Sequence, residues 1–360
     1  VSIQLDILTK DREDDYEFFL HSGQESLLYS SLKYRNFLQK ILVNSQDYYL
    51  LAYDSGRLVG ALPSFVKRHP IYGNVLNSLP FYGSNGGIII SPQASHPEKV
   101  KQELLDAFNC LASQESVVVS TIISNPLDSD VNFYESHCSY TFRDERIGQL
   151  IDLPTNTSNH DIISEMLMGL FHQKTRNCVR KAQKSEIYIY HSDSLASLQA
   201  LADLHQENIL AIGGIPKPWS VFTAIRETFI YDRDYRIYLA KKDEQIIAGL
   251  LVFFYNRTAE YYTPATLASY RIYQPMSLII YEAMLAAIKR GCLYWNWGGT
   301  WLTQTGVYNF KSRWGTKDKP YFYYIKEYDN YSSLRQLTTK QILAEYPYFY
   351  VLPFNVLQKS

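Results

Sequence analysis

Lys311 is one residue that could do chemistry, although by itself it reads more readily as a surface lysine on a helix. It follows a Gly298-Gly299 break that ends a strand-like run at 293–297, and ligands commonly sit beyond the carboxyl ends of sheet strands. A fixed ammonium there would stabilise the tetrahedral oxyanion formed when an acyl group passes to an amine. A second set lies in the run 259–263. Strand alternation puts Glu260 and Tyr262 on one face and Tyr261 and Thr263 on the other. A carboxylate or phenol within reach of the attacking ammonium would take its proton, although core or sheet packing accounts better for at least one tyrosine. A third set is basic. Lys174, Arg176, Arg180, Lys181 and Lys184 occupy roughly half the circumference of a helix expected over 162–184, with Phe171, Cys178, Val179 and Ala182 on the other half. That face suits phosphates of a nucleotide-linked or lipid-linked precursor, or of a tRNA acceptor end. An ordinary solvated face would read the same way.

The elements that must hold these residues follow from periodicity and turn chemistry. Strands are expected at 48–53 and 58–66, joined by Asp54-Ser55-Gly56. Further strands are expected at 75–79, 88–90, 117–123, 187–190, 236–240, 246–255, 259–263 and 293–297, and helices at 11–21, 29–41, 97–113, 195–209, 219–229 and 275–290. The run 81–87 holds too many glycines for a regular element and reads as a loop. A repeat is visible: Leu51-Ala52-Tyr53 to Leu62 matches Leu239-Ala240-Lys241 to Leu250, and each is followed by a further strand and an apolar helix. With 360 residues, two domains in tandem are expected.

Several classes drop out. A formal net charge of −1 excludes a general polyanion binder, so DNA is not expected and phosphate contact must be local. The four cysteines form no CxxC pair and no HExxH occurs, so no metal is implied. His172 and His205 read as ordinary structural or surface residues. No Gly-x-Ser-x-Gly elbow or Walker loop supports hydrolysis or ATP use. The 31 tyrosines suit both strands and sugar- or peptide-holding clefts. No apolar run is long enough to span a membrane and the opening residues carry no signal pattern, so a cytoplasmic location is expected.

Hairpin, strand and helix in this order resemble the N-acetyltransferase fold. Two copies in one chain resemble the Fem family, which adds amino acids to peptidoglycan precursors, and its Fem-like acetyltransferase relatives. The similarity rests on Trp295-Asn296-Trp297-Gly298-Gly299 followed by Phe310-Lys311-x-x-x-Gly315, on Leu79-Pro80-Phe81-Tyr82-Gly83-Ser84 with Gly86-Gly87, and on Lys174-x-Arg176-Asn177-x-x-Arg180-Lys181-Ala182.

The resemblance implies an α/β mixed sheet in tandem GNAT-like domains at 1–153 and 154–330, with a helical extension at 331–360. It implies amide formation on an amino group of a cell-wall or cell-surface precursor, with aminoacyl-tRNA or acyl-CoA as donor and the reactants meeting between the domains. Lys33 and Tyr34 would bind the precursor. Tyr82, Asn85 and Gly86 would line the first-domain cleft, and Trp297, Gly298, Gly299 and Phe310 would frame Lys311. Two alternatives remain: a CoA-dependent N-acyltransferase acting on an amino sugar or amino acid, and a non-catalytic glycan- or peptide-binding module. The chain departs from acetyl-CoA enzymes at Arg271-Ile272-Tyr273-Gln274-Pro275-Met276. The glycines of a pyrophosphate loop are missing there and Pro275 removes an amide donor. The sequence leaves the oligomeric state open.

Overall fold

A computed structural model describes residues 2–23, 26–81, 85–127, 131–155, 159–328 and 333–357. By contacts the chain divides into two units, 1–146 together with 320–360, and 147–319. In chain order the elements up to the first crossing are β1 (Ile3–Ile7), α1 (Glu13–Ser22), α2 (Leu32–Ile41), β2 (Ser45–Asp54), β3 (Arg57–Lys67), β4 (Asn74–Asn77), β5 (Ile89–Ile90), α3 (Pro97–Gln114), β6 (Val117–Ile123), α4 (Val131–His137) and β7 (Phe142–Asp152). Then come α5 (His160–Leu170), α6 (Gln173–Gln183), β8 (Tyr188–His191), α7 (Leu195–Ala211), α8 (Trp219–Thr228), β9 (Tyr235–Lys242), β10 (Gln245–Tyr255), β11 (Thr258–Thr266), α9 (Pro275–Lys289), β12 (Tyr294–Trp301) and α10 (Thr305–Ser312). The last elements are β13 (Lys317–Glu327) and α11 (Thr339–Glu345).

In the first unit, β2 and β3 form the hairpin expected around Asp54-Ser55-Gly56, and β4 runs parallel to β6 with α3 as the crossover. Val100, Leu104, Phe108 and Leu111 recur at helical spacing on α3 and bury against Leu50, Leu62 and Val66 of the hairpin. Each such side chain contributes about 1.5–3 kcal/mol by leaving water. The final residues belong to this unit and are no separate extension. β13 pairs with β6. Tyr346 Oη donates to the Gly73 carbonyl at 2.7 Å and the Tyr350 amide donates to Asn77 Oδ1 at 2.7 Å.

The second unit repeats the plan. β9 and β10 form a hairpin, β11 follows antiparallel to β10, and β12 runs parallel to β11 with α9 as the crossover. One core forms on the α9 side from Val252, Phe254, Ala259, Ile279, Ile280, Met284, Trp295 and Trp297. The helix expected over 162–184 is two helices. Phe171 leaves the axis to pack edge-on against Trp314, ring centres 4.8 Å apart. The His172 amide then donates to the Arg313 carbonyl at 2.8 Å, and His172 Nδ1 caps α6 by accepting from the Lys174 amide at 3.2 Å. Gly315 permits this approach: its φ is +82°, and a Cβ would collide with the Leu170 carbonyl oxygen.

Candidate active site

The expected break at Gly298-Gly299 does not end β12, which runs on to Trp301; instead the strand bends at Gly298, held by its own residues. Asn296 Oδ1 accepts from the Gly298 amide at 2.9 Å. Gly298 adopts φ +69° with open space where a Cβ would lie, so backbone conformation and not crowding calls for glycine there. The bend leads along β12 to Gly299 and Thr300. Lys311, in the last turn of α10, reaches back to them: its Nζ donates to Thr300 Oγ1 at 2.9 Å and to the Gly299 carbonyl at 3.3 Å. Lys311 is 6% exposed. Burial pushes its ammonium down to about 8, and no described carboxylate pairs with it. At pH 7 it remains mostly charged, a cation with donor capacity to spare.

Glu260 of β11 sits opposite Asn296 of β12 in the parallel register. Both are buried, and Asn296 Nδ2 has no partner among the described residues. The face assignment expected for β11 changes at one residue. The β10–β11 register shifts between Leu251 and Val252, so Tyr262 is the extra residue of a bulge and Thr263 pairs with Leu251. A bulge moves every later side chain to the other face. Thr263 therefore joins Glu260 and Tyr262, and only Tyr261 turns to the α9 core, its ring 4.7 Å from that of Trp297.

On the Glu260 face lies a group that sequence reasoning passed over. Lys217, between α7 and α8, places Nζ 3.4 Å from Thr263 Oγ1 and 5.1 Å from the Tyr262 ring centre. Burial lowers its ammonium to about 8. Its amide donates to His205 Nε2 at 3.1 Å, which puts the imidazole proton on Nδ1. Burial, then the Lys217 charge, push His205 down to about 4. His205 is thus a neutral imidazole positioning the Lys217 backbone. The available signal was Pro216-Lys217-Pro218, a cation on a backbone stiffened by proline on both sides.

The other expected residues are placed as follows. Trp297 is 2% exposed, packed among Tyr261, Trp295, Phe310 and Trp314; it supports the bend from below and does not face a ligand. Phe310 is 38% exposed beside it. On α6, Lys174, Arg180 and Lys181 are exposed and Arg176 is half-buried, donating from Nη1 to the Phe171 carbonyl at 2.6 Å. The basic face is not of one sign: Arg176 and Arg180 share a 510 Å³ cavity with Asp161 and Glu165 of α5.

In the first unit, Lys33 is half-buried on α2, whereas Tyr34 is fully buried in the core, edge-on to Tyr29 at 5.2 Å. Tyr34 therefore cannot contact a precursor. Asn85 is buried with Nδ2 3.4 Å from the Ser124 carbonyl, and Gly86 donates to the Ile123 carbonyl at 2.9 Å. A Cβ on Gly86 would lie 2.6 Å from the Ser78 carbonyl oxygen. Both pack the loop onto β6. Tyr82 lies outside the described residues. No group of metal-binding side chains and no helix able to cross a membrane occurs among the described residues.

Residues 171–312 match the family model described as an acetyltransferase (GNAT) domain. The matched stretch lies within the second unit, which is similar to a GNAT acetyltransferase domain. The architecture also matches solved tandem proteins. FemX aligns over 89% of this chain and 96% of its own, with TM-score 0.71 and 15% identity. A tandem GNAT protein from the clavulanic acid biosynthesis pathway aligns over 91% and 98%, with TM-score 0.55 and 9% identity. The C-terminal domain of a lysylphosphatidylglycerol synthetase candidate from Agrobacterium fabrum aligns over 92% and 96%, with TM-score 0.50 and 11% identity. No curated protein matches the chain in sequence. The mixed α/β fold expected from the Fem resemblance is that of the GNAT acyltransferases in tandem.

Proposed function

We propose that the chain transfers an acyl or aminoacyl group directly to an amine of a cell-wall or cell-surface precursor, with Lys311 at the reacting carbonyl. The observation that carries this reading is the buried Lys311 ammonium, anchored by Thr300 and the Gly299 carbonyl and without a counter-charge among the described residues. A cation so placed gains most when negative charge appears on the carbonyl oxygen in the transition state. Glu260 or Tyr262 would accept the proton released by the amine. Lys217 would hold an anionic part of the precursor, and positioning of the reactants would supply much of the rate.

The donor side favours an aminoacyl ester over acyl-CoA. The first turn of α9 begins with Pro275, which has no amide hydrogen, and the Ser277 amide already donates to the Gln274 carbonyl at 3.0 Å. Few amides remain there for a pyrophosphate. A cytoplasmic setting fits such substrates.

The test pairs each donor, aminoacyl-tRNA or acyl-CoA, with a nucleotide-linked cell-wall precursor bearing a free amine, and reads the product mass. A new amide with aminoacyl-tRNA, lost in Lys311→Met, is expected. Amide formation from acyl-CoA alone would favour the CoA-dependent alternative. Precursor binding with no product from either donor would favour the non-catalytic module.

A further inference from the structure

A second cavity in the same unit, of 500 Å³, lies between α9 and the paired strands β8 and β9, lined among others by His191, Arg236, Tyr238, Leu278, Glu282 and Ala286. Arg236 and Tyr238 stand opposite Val252 and Leu250, which both face the α9 core. Glu260 stands opposite Phe253, on the other face of the sheet. The cavity is therefore separate from the proposed acyl-transfer residues.

Two features make it a site and not a packing defect. Leu278, Glu282 and Ala286 recur every four residues, one stripe of α9. Glu282 is the only acidic residue of that helix and interrupts a run of apolar neighbours. Burial raises its carboxyl, with His160 opposing only in part, and it has no hydrogen bond or ion pair with a described residue. A half-buried carboxylate so placed is unfavourable until a cation meets it.

The opposite wall carries the complementary charge. Arg236 Nε donates to Asp232 Oδ1 at 2.5 Å and Nη1 to Tyr238 Oη at 3.4 Å, and Nη2 has no described partner. Asp232 is shared, since Arg290 Nη2 also donates to it at 2.6 Å, so two guanidiniums face one carboxylate and a positive charge is left over. His191 adds none: burial and the neighbouring Arg236 lower its imidazole below its usual range, and its Nδ1 lies 2.6 Å from Tyr231 Oη.

We propose that this cavity binds a small zwitterion of the α-amino acid class, its ammonium on Glu282 and its carboxylate on the spare edge of Arg236. The side chain would lie along Leu278 and Ala286.

Isothermal titration of the full chain with each of the twenty L-amino acids tests this, with ethanolamine and acetate as half-ligands. Saturable binding of at least one amino acid is expected. Glu282→Gln should weaken it by about tenfold or more, equivalent to at least 1.4 kcal/mol. Ala286→Phe, which fills the cavity and keeps both charges, should weaken it similarly. Each half-ligand should bind at least about tenfold more weakly than the whole, since each makes one charge-assisted contact in place of two. Absence of binding by every amino acid at millimolar concentration, or binding unchanged in both variants, overturns the proposal. Ethanolamine binding as tightly as the amino acid would overturn the role given to Arg236.

Discussion

Replacing Lys311 by methionine should stabilise the second unit while removing its oxyanion partner. Burial lowers the ammonium from 10.5 to about 8, and at 1.36 kcal/mol per pH unit the folded state gives up roughly 3 kcal/mol to keep it charged at pH 7. Methionine removes that penalty. It also leaves Thr300 Oγ1 and the Gly299 carbonyl without their donor, which costs about 1 kcal/mol each. The net is a gain of about 1 kcal/mol, or a melting temperature higher by about 2–4 °C. The sign depends on pH. A folded value below the unfolded one means the unfolded chain binds more protons between about 8 and 10.5, so wild-type stability rises through that window. The advantage of the variant is therefore full below pH 8 and reverses by pH 10.5, where the neutral lysine keeps its hydrogen bonds without the charge penalty. Calorimetric melts of both proteins from pH 7 to 10.5 read this directly. A variant that melts below wild type at pH 7, or an advantage that does not change with pH, would refute the reasoning.

Other outcomes follow from the same structure. At saturating precursor, kcat should fall above about pH 8, to roughly a tenth of its plateau at pH 9, as Lys311 loses its proton; the residual kcat of Lys311→Met should lack that limb, while loss of the Lys217 charge over the same range would appear in KM. Gly315→Ala should destabilise by about 2–4 kcal/mol in urea unfolding, because it sets a Cβ against the Leu170 carbonyl at a φ of +82°. Deleting residues 333–360 should unfold the first unit at ordinary temperature, seen as lost near-ultraviolet circular dichroism. It removes the bonds of the Tyr346 hydroxyl to the Gly73 carbonyl, of the Phe81 amide to the Tyr348 carbonyl and of the Tyr350 amide to Asn77 Oδ1, and the burial of Val351 and Leu352.

Local chemistry explains which parts of the fold could be read from sequence. The run 117–123 is β-branched and apolar apart from Ser120 and Thr121 and is β6, buried along its whole length; the apolar helix with proline in its first turn, expected at 275–290, is α9. The two hairpins announced themselves through polar turns between apolar runs. β1, β7 and β13 were not foreseen: β1 is edge-like, with most of its side chains exposed, and β7 and β13 mix charge with aromatics and owe their conformation to partners distant in sequence. The break at Phe171 and His172 follows from Trp314 and Arg313, some 140 residues away in sequence, which no local propensity encodes. At the site, Lys311 stood out because glycines precede it. Lys217 did not, because what distinguishes it is burial beside a bulge. The same bulge moved Thr263, since alternation predicts faces only while the register holds.

The chain leaves the first unit inside β7 and returns to it inside β13. That topology sets an order on biosynthesis. β6 emerges from the ribosome about two hundred residues before the segment of β13 that hydrogen-bonds to it, a delay of roughly 10–40 s at about 5–20 residues per second. Throughout that interval one edge of a strand made mostly of valine and isoleucine stays open to pairing with other nascent chains. The inserted unit, contiguous in sequence, is free to fold first.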